Sequence, residues 1–262
     1  MQPLPIEHFG ALTQLPHCRH VFTRRFPGID VTHDKAEVLR RLDTAHREVR
    51  RAIGVSDWPV LTAKQVHGAQ IASVAEPFQA RQLVPQKSAT DRSDANRRSW
   101  PTQKIDPIGC PPGATRVDLP IESDIQFGGC DGIITNRREV ALGIHVADCC
   151  AVYIVDPKKP AIGLVHSGKK GTELGVVTNA IAQMRAHFGS NPADLVVQLS
   201  PCIRPPHYEI DFAAKIIGQC RAQGVKQIHD SGICTACHPD LYYSYRAEKG
   251  KTGRMLALLA LV

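Results

Sequence analysis

Between residues 132 and 199 the chain carries closely spaced apolar runs of strand length, and nothing else in the sequence narrows the fold as much. Residues 132–135, 140–149, 151–156, 161–166 and 195–199 are rich in Ile, Val and Leu and are separated by turn residues. A helical pattern at 172–188 (Val176, Val177, Ala180, Ile181 and Met184 on one face) is interleaved with them, as is another at 212–220 ended by Gly224. Upstream, residues 33–53 repeat apolar positions at helical spacing, and 58–74 form short extended pieces broken around His67-Gly68. Residues 254–262 make a last strand. Helices alternate with strands while hairpins are plain, so the expected architecture is α/β: a single domain of mixed, partly antiparallel β-sheets packed against helices.

The stretch 76–129 is of another character, polar and rich in Pro, Ser and Arg. It reads as an insert in a domain that spans 1–262. Its basic residues Arg81, Lys87, Arg92, Arg97, Arg98 and Lys104 suit a solvated loop better than a nucleotide or RNA contact. The net charge of +7 suits an acidic partner such as phosphate or a nucleotide. The N-terminus lacks a basic run followed by an apolar stretch, no segment reaches membrane-spanning length, and nine cysteines without a disulfide pattern suit free thiols. The expectation is a cytoplasmic enzyme without a membrane partner; oligomeric state is not legible.

The turn Asp156-Pro157-Lys158-Lys159-Pro160 sets the register of one hairpin. If Pro157 faces Pro160, paired residue numbers sum to 317, so His166 faces Ala151. Cys149 then lies one diagonal step away on the same face, with Cα atoms about 7–8 Å apart. Side chains alternate along a strand, so Cys150 points to the other face. With His67 from a loop, Cys149 and His166 make a His/Cys/His set suited to zinc, or to copper through its soft thiolate, with a position left open. On spacing alone, a buried thiol and two hydrogen-bonded histidines account for the same residues.

Lys64-Gln65-Val66-His67-Gly68, Cys130-Asp131-Gly132-Ile133-Ile134-Thr135, Ala147-Asp148-Cys149 and His166-Ser167-Gly168 occur in the order seen in a known family. So do His20 to Arg24, Cys234-Thr235, Tyr243 to Arg246 and Thr252-Gly253-Arg254. Together they resemble the multicopper polyphenol oxidase (laccase-domain) family, some members of which are purine nucleoside phosphorylases. The resemblance implies a zinc site at His67, Cys149 and His166, with copper as the alternative, and phosphorolysis of purine nucleosides or deamination of adenosine. Purine nucleoside and phosphate would be the partners, with no role for nucleic acid. Two departures bear on the substrate. Lys169-Lys170 replaces the family's Trp-Arg pair, and lysine lacks the planar fork that grips phosphate twice. The glycine-rich segment around Gly28 is shortened.

Within this reading Asp131 and Asp148 are the candidate acid and base, although Asp148 would point away from the Cys149 face. Arg24, Lys170 and Arg246 are the candidate anion-binding residues. Polyphenol oxidation stands second, because no His-x-His pair is present to build a copper cluster. A metal-free cysteine hydrolase would use the same three residues, with Cys149 as nucleophile. An RNA-binding module built on the basic insert is the non-enzymatic alternative. The run Cys234-Thr235-Ala236-Cys237-His238 matches a haem-attachment pattern, but a CxxC redox pair or a second zinc site is the better account of it.

Overall fold

The computed structural model describes residues 3–75 and 124–262, and the backbone of 115–117. Most of the proposed insert, and with it the six basic residues named above, lies outside the described residues. In chain order the elements are β1 (Ile6–Glu7), α1 (Gly10–Thr13), β2 (Cys18–Thr23), α2 (Lys35–Ala52), β3 (Val60–Lys64) and β4 (Ile71–Val74). Next come β5 (Thr115–Val117), β6 (Ile125–Gly128), β7 (Gly132–Thr135), β8 (Ala141–Val146), β9 (Cys150–Asp156) and β10 (Ala161–Ser167). The chain continues through α3 (Lys169–Glu173), α4 (Val176–Phe188), β11 (Val196–Leu199), α5 (Phe212–Ala222), β12 (Gln227–Asp230) and β13 (Met255–Leu261).

The strands form two mixed sheets, one of six in the order β1-β2-β13-β8-β3-β6 and one of seven in the order β12-β11-β9-β10-β7-β4-β5. They face each other, with β10 packed against β8 and β13. Alternation sorts β9 between two cores: Ala151, Tyr153 and Val155 join the cluster between the sheets. Cys150, Val152 and Ile154 join the cluster formed with α4 and α5 on the other face. Helix α2 adds Val38, Leu42 and Val49 to the first cluster. The α/β architecture with mixed sheets packed against helices is therefore observed.

Three boundaries differ from the sequence-based expectation, each for a local reason. The apolar run expected to continue to residue 149 ends as β8 at Val146, because Asp148 takes a left-handed φ of 79° that turns the chain. The helix expected over 172–188 is two helices, since Gly175 at φ 74° breaks the path between α3 and α4. The stretch read as an insert includes β5 and β6, which pair in parallel with β4 and β3, respectively.

Candidate metal centre and cavity

The hairpin register follows the turn. Asp156 Oδ1 accepts the amides of Lys158 and Lys159 at 2.9 and 3.0 Å, closing the turn, and Ala161 pairs with Asp156. From there the ladder places His166 opposite Ala151 and Ser167 opposite Cys150. His166 and Cys149 thus share the face between the sheets, while Cys150 lies in the other core, its thiol directed at the carbonyl of Ser200. Gly168 completes the local fit, since a Cβ there would fall 2.5 Å from Cys149 Sγ. A side chain at 168 would displace the thiol.

His67 reaches the same spot from the loop after β3. Its backbone is left-handed at φ 58°, a conformation costing a non-glycine residue about 1–3 kcal/mol unless its surroundings enforce it. Here the enforcing group is Asp131, which is fully buried. Its carboxylate accepts the amides of Val66, His67 and Gly68 at 3.2, 2.9 and 2.7 Å. It also lies 2.9 Å from His166 Nδ1. Burial alone would raise the Asp131 carboxyl, but the bonds from His166 and the amides outweigh it and hold it below the ordinary range. An ionised carboxylate only accepts, so Nδ1 of His166 donates to Asp131 and Nε2 is the ring nitrogen left to face the cluster. One buried acid thus sets both the His67 loop and the His166 ring.

One ligand atom from each of His67, Cys149 and His166 lies within 4.8 Å of the others. The two imidazole rings meet edge to face at 4.9 Å. Burial would raise the Cys149 thiol, but His166 and His67 overcome it and bring it down to about 6. Burial would lower His166, yet Cys149 and Asp131 raise it to about 9. A thiol that ionises near neutrality beside two imidazoles, one of them oriented by a buried carboxylate, is a donor set that fits zinc or a soft-ligand copper ion once the metal displaces the Nε2 proton.

The cluster floors a cavity of about 660 Å³. Lys35, Lys169, Arg246, Lys249 and Arg254 line it with Tyr208, Phe212, Tyr245 and His145. Tyr208 and Phe212 meet edge to face at 5.8 Å, and the Arg246 guanidinium lies 5.0 Å from the Tyr208 ring centre. Lys169 and Arg246 share Glu209, at 3.3 and 2.9 Å. Asp148 also borders the cavity, but its oxygens accept Thr235 Oγ1 and the Arg246 amide, both at 2.7 Å. The Cys234–His238 run is a single turn whose buried Thr235 provides the first of those bonds.

Of the residues expected from sequence to bind an anion, Arg246 lines the cavity, while Arg24 and Lys170 are not among its lining residues. Arg24 sits beside Glu7 at 3.9 Å, and Lys170 is exposed on α3. Lys35, Lys169, His145, Tyr208, Phe212 and Lys249 escaped the sequence reading as cavity residues. No short-range spacing joins positions so far apart, although Tyr245 and Arg254 fell within motifs carrying the resemblance.

The sequence profile described as multi-copper polyphenol oxidoreductase laccase matches residues 20–217 and 206–262. Purine nucleoside phosphorylase YlmD of Bacillus subtilis (strain 168) is 30% identical over 162 residues, which is 50% of this chain and 58% of that protein. Purine nucleoside phosphorylase LACC1 of Mus musculus is 30% identical over 163 residues, 50% of this chain and 38% of that protein. These alignments therefore span less than two thirds of either relative. Purine nucleoside phosphorylase SCO2081 of Streptomyces coelicolor (strain ATCC BAA-471 / A3(2) / M145) is 25% identical over 239 residues, 81% of this chain and 79% of that protein. The crystal structure of YlmD from Geobacillus stearothermophilus superposes with a TM-score of 0.69 at 19% identity, covering 99% of both chains, so the fold is shared. On the profile match, which takes in nearly the whole chain, the protein belongs to the multi-copper polyphenol oxidoreductase laccase family.

Proposed function

We propose that the chain is a metal-dependent purine nucleoside phosphorylase, with deamination of adenosine as a related activity of the same site. The observation that carries this reading is the junction of a His/Cys/His donor set with a cavity that is both cationic and aromatic. His67, Cys149 and His166 would hold zinc, which when bound supplies a Lewis acid at the cavity floor. Tyr208 and Phe212 offer the aromatic wall that a purine stacks against. The cations attract hydrogen phosphate, whose oxygen attacks ribose C1′ as the C1′–N9 bond breaks and whose proton ends on the departing base, yielding ribose 1-phosphate and free purine.

Asp131 and Asp148 act by positioning. Asp131 keeps the proton on His166 Nδ1 and shapes the His67 loop. Asp148 ties the Arg246 backbone to the cavity wall. The test is elemental analysis of purified protein together with turnover of adenosine and inosine, with and without phosphate. Stoichiometric zinc and phosphate-dependent release of base are expected. Absence of both activities in zinc-loaded protein would sink the reading.

One observation favours a second reading. Cys149, His166 and Asp131 also form the chain of a cysteine nucleophile, its base and the base's orienting acid. That reading predicts full activity in metal-stripped protein and loss on alkylation of Cys149. Copper-loaded protein oxidising a phenol is the corresponding outcome for polyphenol oxidation. Among the described residues the His/Cys/His group is the one candidate metal cluster, which gives a multicopper array no second centre there.

A further inference from the structure

The charges lining the cavity fall into two groups. Lys169 and Arg246 share the single charge of Glu209, and Asp148 has both oxygens committed. Lys35, Lys249 and Arg254 have no carboxylate ion pair among the described residues, and of these Lys35 and Arg254 flank His145. The Arg254 guanidinium donates only to the carbonyls of Thr252 and Gly253, at 2.9 and 2.8 Å, and its Cζ lies 5.7 Å from the Tyr245 ring centre.

The fold brings these cations together with His145. On the first sheet His145 pairs with Leu256 and Val146 with Met255. Continuing that register sets Arg254 one diagonal step from His145 on the same face. Lys35 is the first residue of α2, and all three residues line the cavity. The acid next to Lys35 makes no ion pair with it and instead caps α2, Asp34 Oδ1 accepting the helix amides of Ala36 and Glu37 at 2.9 and 3.1 Å. Asp131 is fully occupied as well.

Behind His145 stands His46, 92% buried, its ring 5.5 Å away and its Nε2 without a hydrogen-bond partner. Burial lowers His145 to about 3, with His46, Lys35 and Arg254 adding to the effect, so the ring is neutral at pH 7. Desolvation and then the Arg254 charge lower the Lys35 ammonium, and the Asp131 charge offsets only part of this.

We propose that Lys35 and Arg254, which line the cavity with His145, form a subsite for a tetrahedral phosphate group. The forked guanidinium and the point charge of the ammonium suit two edges of such an anion. For its catalytic meaning the subsite rests on the phosphorolysis reading, in which it holds the attacking phosphate. It also compensates for Lys169-Lys170, whose cavity-lining member, Lys169, is paired with Glu209. The group can arrive as inorganic phosphate or as the monoester of a nucleotide, which share this chemistry.

Calorimetric titration of the metal-loaded protein with inorganic phosphate, and separately with adenosine 5′-monophosphate, tests the subsite. Lys35→Met and Arg254→Met are compared with Lys215→Met, a change on the exposed face of α5. Phosphate affinity is expected to fall about tenfold or more in Lys35→Met and Arg254→Met but not in Lys215→Met. Loss confined to the monophosphate titration supports the same subsite and assigns it to a nucleotide. Unchanged affinity for both probes in Lys35→Met, with wild-type thermal unfolding, overturns the proposal. Lys35 lies exposed at a helix start, so this arm stands even if Arg254→Met fails to fold. A wild-type protein that binds phosphate through Lys35 yet releases no base from nucleosides would sink phosphorolysis and leave the subsite.

Discussion

At the residue scale Asp131 orders the centre without being one of its candidate ligands. Its carboxylate fixes a left-handed histidine backbone and the orientation of an imidazole together. In Asp131→Asn one amide oxygen must replace two charged acceptors. Zinc affinity should fall about 10–100-fold, as for the loss of other groups that orient metal ligands. Competition with a chromophoric chelator measures this, and unchanged affinity would remove Asp131 from that role. The two neighbouring thiols should part company in the same assay. Cys149→Ser should abolish stoichiometric metal, whereas Cys150→Ser, on the opposite face, should retain it. Gly168→Ala belongs beside them, because its new Cβ would occupy the space of Cys149 Sγ. Loss of metal from Gly168→Ala with little change in thermal midpoint is the expected result.

At the element scale, β9 and β10 form the platform on which the rest is mounted. Their register was readable because a short proline-flanked turn leaves little freedom in how the arms pair. Helix ends lack such a constraint. Gly175 sits in a helical pattern, and the pattern alone cannot show that its backbone turns left-handed. Replacing Gly175 with Ala should cost about 1 kcal/mol, the penalty for a left-handed alanine, read as a lowered urea midpoint. A gain in stability would mean that α3 and α4 prefer to join. Met184 on α4 is fully buried and lies over Gly163 of β10. Met184→Ala should therefore cost about 2–5 kcal/mol through the cavity it leaves.

At the scale of the whole molecule, three histidines tie stability to pH. Burial lowers His20 and His46 to about 4 and His145 to about 3. His20 Nε2 accepts the Phe9 amide at 2.8 Å, which requires the unprotonated nitrogen. In each case the unfolded chain binds a proton near pH 6.5 that the folded chain refuses. Stability should be intact above about pH 6.5 and decline as pH falls towards about 4, at about 1.4 kcal/mol per unit of depression for His20 and His46. Urea unfolding from pH 7.5 to 4.5 measures the slope. A flat profile, or one rising towards acid, would contradict it. His46→Gln should flatten part of the fall.

Sequence alone determined what depends on short-range order. The alternation of β9 and β10, the side of the sheet taken by Cys149, and the helical stripe of α2 are set within a few residues, where turn chemistry and side-chain period act. The resemblance extended this to the His67, Cys149 and His166 set. Only the tertiary structure decided which charges meet in the cavity. Lys35 and Arg254 are over two hundred positions apart and meet in one cavity lining only in the folded chain, where α2 and the residue before β13 come together, while Arg24, which lies inside a telling motif, faces Glu7 away from the cavity lining. Whether a cation is free to bind is likewise decided by what packs beside it. Glu209 pairs with Lys169, and Asp34 is held by its own helix amides. Local periodicity records which way a side chain points, but the partner it finds there is chosen by contacts distant in sequence.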